Sequence, residues 1–71
     1  MELEDFLDWM RENYKNVEVK ERKDCVIVKV NDIEGELIEE VNKAEDMALK
    51  LDNQVRYIEI AGKGFLFMIE R

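Results

Sequence analysis

IEGELIEEVNKAEDMALKLD, residues 33–52, decides how the rest of the chain is arranged. Leu37, Val41, Ala44, Ala48 and Leu51 recur at alternating steps of four and three. That spacing gathers them into one apolar stripe, while Glu36, Glu39, Lys43 and Lys50 point elsewhere. A helix with a single apolar face needs a surface to lie on. Two strand-like runs precede this helix and two follow it, so the pattern predicts a rod laid across a four-stranded sheet. Asn31 or Asp32 is placed to cap it, and Glu34, three residues after Asn31, completes a capping-box pattern. Gly35 weakens the first turn and favours a later start. Glu39 with Lys43 and Asp46 with Lys50 have the i,i+4 spacing and orientation of stabilising ion pairs.

Working outward, residues 2–14 read as a first helix. Leu3, Phe6, Leu7, Met10 and Tyr14 form its stripe, with Trp9 at the margin and Glu2, Glu4 and Asp5 at the dipole's positive end. Residues 17–22 alternate as a half-exposed edge strand, and Lys23-Asp24 reads as a tight turn. CVIVKV, residues 25–30, is β-branched and apolar on both sides, as a central strand should be. After residue 54 come VRYIEIA and GFLFMIE, joined at Gly62-Lys63 by the Gly-X pattern of a type II′ hairpin. The predicted order is α-β-β-α-β-β, one α+β domain over residues 1–71.

With strands numbered in chain order, a right-handed crossover that keeps the most apolar strands central gives the sheet 3-4-2-1, with both helices on one face. Such a sheet is similar to a ferredoxin-like one whose first strand has moved to the C-terminus, a circular permutation; the likeness is of topology and implies no function. Side-chain parity then puts Val17, Val19, Val26, Val28 and Val30 under the helices, together with Ile58, Ile60, Phe65, Phe67 and Ile69. The opposite face has Cys25, Ile27, Tyr57, Leu66 and Met68 at its centre, ringed by Glu18, Lys20, Lys29, Glu59 and Glu70. Nothing within the chain covers it, and an uncovered apolar centre is the mark of a partner surface.

Composition narrows the chemistry. Charged residues make up 41% of the 71, the net charge is −7, and there is no His, Ser, Thr or Pro. Serine and threonine nucleophiles and histidine bases are therefore excluded, and an enzyme is not expected. The bias toward Glu, Lys, Val and Ile is of the kind found in proteins of thermophiles. A lone Cys25 makes no intramolecular disulfide and, with no His beside it, reads as a small apolar residue. No apolar run reaches 18 residues and MELEDF is acidic where a signal peptide is basic, so a cytoplasmic protein without membrane contact is expected.

Charge is also segregated. Residues 1–16 and 31–53 carry 13 acidic and 4 basic side chains, net −9, whereas the strand-bearing remainder carries 5 acidic and 7 basic, net +2. The acidic run Glu34, Glu36, Glu39 and Glu40 lacks the Cys and His ligands zinc requires and the alternating oxygens of a calcium loop, so no metal and no cofactor are expected. Gly62-Lys63-Gly64 is too short for a phosphate-binding loop and has no Ser or Thr after the Lys.

The run Lys63-Gly64-Phe65-Leu66-Phe67-Met68-Ile69 resembles the octamer of RNA-recognition motifs, and the resemblance implies bases stacked on Phe65 and Phe67. The competing reading places both rings in the core, and the net charge of −7 opposes nucleic acid. The sequence therefore points to a non-enzymatic interaction module. Its uncovered sheet face, at Cys25, Ile27, Tyr57, Leu66 and Met68, would make a homodimer or hold a protein partner. The alternative is an acidic regulator whose helix layer, through Glu36, Glu39, Glu40, Glu45 and Asp46, docks a basic protein or mimics nucleic acid. RNA binding through the last strand ranks below both.

Overall fold

A computed structural model describes residues 1–71 and shows a two-layer α+β fold. The elements are α1 (Leu3–Asn13), β1 (Asn16–Glu21), β2 (Cys25–Asn31), α2 (Leu37–Ala48), β3 (Val55–Ala61) and β4 (Gly64–Glu70). All strand pairs are antiparallel and the sheet order is β1-β2-β4-β3, the predicted 3-4-2-1 read from the other edge.

α1 folds as its stripe requires. Phe6, Leu7 and Met10 are buried, and Glu4 and Asp5 occupy the first turn. α2 buries Val41, Ala44 and Ala48, with Leu37 and Leu51 packed against the core at its flanks. Its start differs from the predicted one. The helix begins at Leu37 with Glu36 as N-cap, and neither Asn31 nor Asp32 caps it. Asn31 is held in β2 opposite Asn16, Asp32 takes a left-handed φ of 52°, and the Ile33 N–H donates to the Lys63 carbonyl at 2.8 Å. Those sheet contacts keep residues 31–35 out of the helix, and Gly35 offers no helical preference to oppose them.

The core lies between the helices and the two central strands: Val26, Val28 and Val30 of β2, and Phe65, Phe67 and Ile69 of β4. Five aromatic rings close a circuit through it, Phe6 to Trp9 to Tyr14 to Phe65 to Phe67 and back to Phe6, with centroids 5.6–6.4 Å apart. Tilted and edge-on pairs at these spacings each add about 0.5–1.5 kcal/mol beyond area burial. Phe65 and Phe67 therefore belong to the core, so the rings that the octamer resemblance would stack on bases are not on a nucleic-acid face.

Both hairpins turn where predicted. Arg22 N–H donates to the Cys25 carbonyl at 2.8 Å across Lys23-Asp24. At the second turn Gly62 has φ 58° while Lys63 is not left-handed, the combination a type II′ turn uses. A bulge interrupts β3: Val55 is opposite Ile69 but Tyr57 is opposite Met68, so Arg56 is an extra residue. The bulge turns Val55 toward the helices and Tyr57 away from them.

Candidate interaction surface

Register places the predicted sheet-face residues together. One row across the open face runs Lys20, Ile27, Met68, Tyr57, and the next runs Glu18, Lys29, Leu66, Glu59. Cys25 lies in a third row beside Glu70. The row centres are less open than parity alone suggests: Cys25, Ile27, Leu66 and Met68 are half-buried, and only Tyr57 stands out, 46% exposed. Glu18, Lys20, Arg22 and Lys29 line a shallow cleft with Ile27 and Leu66. At the β3 end the Arg56 Nε and Nη2 both reach Glu70 Oε1 at 2.7 Å. That bond and the Glu70 charge hold the Arg56 guanidinium above its already high usual pKa.

The helix side of β3 departs from expectation. Ile58 and Ile60 lie opposite Phe67 and Phe65, on the helix-facing side as predicted, yet they are 37% and 48% exposed. They are not core. The helices cover β2 and β4, and the C-terminal end of α2 only borders β3: Glu45, Ala48 and Leu49 line a narrow cleft with Val55 and Ile58, about 80 Å³ in volume. Leu49, 83% exposed, and Ile38 also show apolar surface on α2. Parity gives the side a residue faces but not whether a helix reaches it, so sequence reasoning missed this surface. The available signal was that VRYIEIA carries apolar residues on both sides although the predicted order 3-4-2-1 puts it at a sheet edge.

The acidic residues differ in exposure. Glu36, Glu39 and Asp46 are exposed, but Glu45 is drawn toward the β3 cleft and Glu40 toward Tyr14. Neither Glu39 with Lys43 nor Asp46 with Lys50 forms the expected ion pair; the pairs that exist link other groups, such as Lys15 to Glu34 at 3.0 Å. Lys50 lies past the end of α2, and long side chains at solvated sites gain little from holding one geometry.

A third, polar cleft of about 240 Å³ lies where the end of α1 meets the β2–α2 connection, among Tyr14, Lys15, Asp32, Glu34 and Glu40. The buried Tyr14 hydroxyl donates to the Glu40 carbonyl at 3.2 Å. Burial first, and then the Glu40 charge, push the phenol pKa well above its usual range, so this group stays a donor and is no base. No three Asp, Glu or Cys side chains converge closely enough to hold a metal ion. No helix is long and apolar enough to cross a membrane.

Comparison with known proteins returns no match to a family model, a curated sequence or a solved structure.

Proposed function

We propose that this chain is a non-enzymatic interaction module that associates with a second copy of itself, or with another protein, through β3 and the open sheet face beside it. The observation that carries the reading is where the exposed large apolar side chains fall. Tyr57, Ile58 and Ile60 all belong to one strand, with Leu49 beside them, and they are 37–83% exposed. Tyr57 continues the Ile27–Met68 row on the open face, while Ile58 and Ile60 continue the α2 border on the other. Scattered exposed hydrophobics are ordinary on small proteins, whereas a contiguous set wrapping both sides of one strand is the kind of surface a partner covers.

Sedimentation equilibrium over a range of protein concentrations tests it. The expected result is a mass that rises above 8.5 kDa with concentration and survives high salt, because apolar burial is not screened. A mass fixed at the monomer throughout would remove the self-associating form. The second reading, an acidic regulator that binds basic proteins, is supported by the net −9 of the helix-bearing segments. It is weaker, since Lys43 interrupts the exposed stripe and Glu40 and Glu45 are turned into clefts.

A further inference from the structure

The two edges of the sheet are unlike. β1 presents Glu18, Lys20 and Glu21 among its six residues, the charged guard that keeps an edge from pairing. β3 presents Val55, Tyr57, Ile58 and Ile60 with only Arg56 and Glu59 between them, and it hydrogen-bonds to β4 alone. We propose that β3 pairs antiparallel with β3 of a second copy, about a two-fold axis at Ile58, joining two four-stranded sheets into one of eight strands. The inference rests on the self-associating form of the function above and supplies its geometry.

Hydrogen-bond parity selects the register. A two-residue hairpin is closed by an inward-bonded pair, here Ala61 and Gly64. Alternating from there, Glu59 and Tyr57 direct their N–H and C=O groups to β4, and Ile60 and Ile58 direct theirs outward. A two-fold perpendicular to the sheet keeps each face on its own side, so residues directly opposite one another must share a face. Four centres are available within the strand. Centring on Glu59 sets two like carboxylates opposite each other in a close pair. Centring on Ile60 runs the overlap into the turn at Gly62. Centring on Tyr57 asks Ile60 to bond Gln54, whose carbonyl already accepts the Glu70 N–H at 2.8 Å.

Centring on Ile58 meets none of these obstacles. Ile58 exchanges both backbone bonds with its own copy, Glu59 lies opposite Tyr57, and the regular pairing ends at the Arg56 bulge. On the open face Glu59 of one copy is then opposite Tyr57 of the other and beside its Arg56, a complementary contact made twice by symmetry. On the helix side Ile58 and Ile60 of both copies form one apolar cluster, bordered by the two Leu49 side chains. The contact also joins the strand-bearing parts, which carry net +2, and not the acidic helix-bearing segments.

Three variants, compared by sedimentation with the unaltered chain, test the geometry. Ile58→Pro removes an outward N–H without touching the β3–β4 ladder, a change an edge strand tolerates. It should abolish the dimer and leave the circular dichroism spectrum unaltered. Met68→Lys, on the open face and off the edge, should retain the dimer. On a Cys25→Ala background, mild oxidation should link two Ile58→Cys chains into a covalent dimer, because the pair lies within disulfide reach. Ile60→Cys chains should stay single, since the axis at Ile58 leaves the two copies of residue 60 about four residues apart along the strands, beyond disulfide reach. A folded Ile58→Pro chain that still dimerises, or equal cross-linking of both cysteine variants, overturns the edge pairing while leaving the interaction reading intact. Dimer loss on Met68→Lys alone would move the contact to the open face. Should Ile58→Pro fail to fold, the cysteine comparison decides. An unaltered chain that is monomeric at every concentration removes both this inference and self-association.

Discussion

At Gly64 the central strands β2 and β4 approach so closely that an added Cβ would run into the Val30 carbonyl oxygen and come within 3.2 Å of the Asn31 Cα. Both obstacles are backbone, so no side-chain rotation relieves them and the strands themselves would have to part. Gly62, two residues earlier, is constrained in a different way: its φ of 58° suits glycine, but nothing lies within 4 Å of the Cβ position. Gly64→Ala should therefore destabilise the chain by about 3 kcal/mol, the upper part of the overpacking range, read as a lower urea midpoint at unchanged slope. Gly62→Ala should cost about 1–2 kcal/mol, because the first central position of a type II′ turn is sparsely accessible to a residue with a Cβ. Equal losses at the two sites would contradict the close approach at Gly64. The same packing explains why Lys63-Gly64-Phe65 looks like a ligand-binding pattern while serving the core. The glycine admits the neighbouring strand, and the phenylalanine that follows is buried among Tyr14 and Phe67.

Among the elements, α2 shows where local signals compete. Glu36 holds the N-cap position with an extended backbone but makes no side-chain hydrogen bond to the first turn. Glu39 sits at the third helical position, so Glu36→Ser would complete the Ser-x-x-Glu capping box. That substitution should stabilise the chain by about 1 kcal/mol, seen as a raised urea midpoint; an unchanged midpoint would mean the first turn frays regardless of its cap. The capping signal in the sequence was the right kind in the wrong place. Asn31-x-x-Glu34 has the same pattern, but Asn31 is claimed by its pairing with Asn16. The strands were more legible, because β-branched runs and turn residues fix their bounds locally: β3 and β4 span the segments read as VRYIEIA and GFLFMIE. What those runs did not carry was the bulge at Arg56, which has no glycine to announce it, or the reach of α2. Whether Ile58 is core depends on how far a helix extends sideways, and residue periodicity has no access to that distance.

For the whole molecule the unresolved balance is electrostatic. The helix-bearing segments, residues 1–16 and 31–53, hold net −9 and the remainder +2, in a body with a radius of gyration of 11.1 Å. At about 0.1 M salt the Debye length is about 10 Å, comparable to that radius, so added salt screens repulsion across the whole surface. The same salt weakens the surface ion pairs, of which Lys15–Glu34 and Arg71–Glu21 are typical, with every side chain in them 41–79% exposed. Pairs that exposed add little stability, and Arg56–Glu70, with both nitrogens on one oxygen, is the best formed of the surface pairs. Repulsion among many like charges acts on every member of the acidic set, whereas each pair protects only itself, so screening should favour the compact state. Raising salt from about 0.01 M to about 0.15 M should therefore raise the thermal midpoint, measured by circular dichroism at one dilute protein concentration so that association does not contribute. A midpoint that falls over this range would show that the ion pairs outweigh the acidic repulsion, and Arg56→Gln should then reproduce most of the fall at low salt.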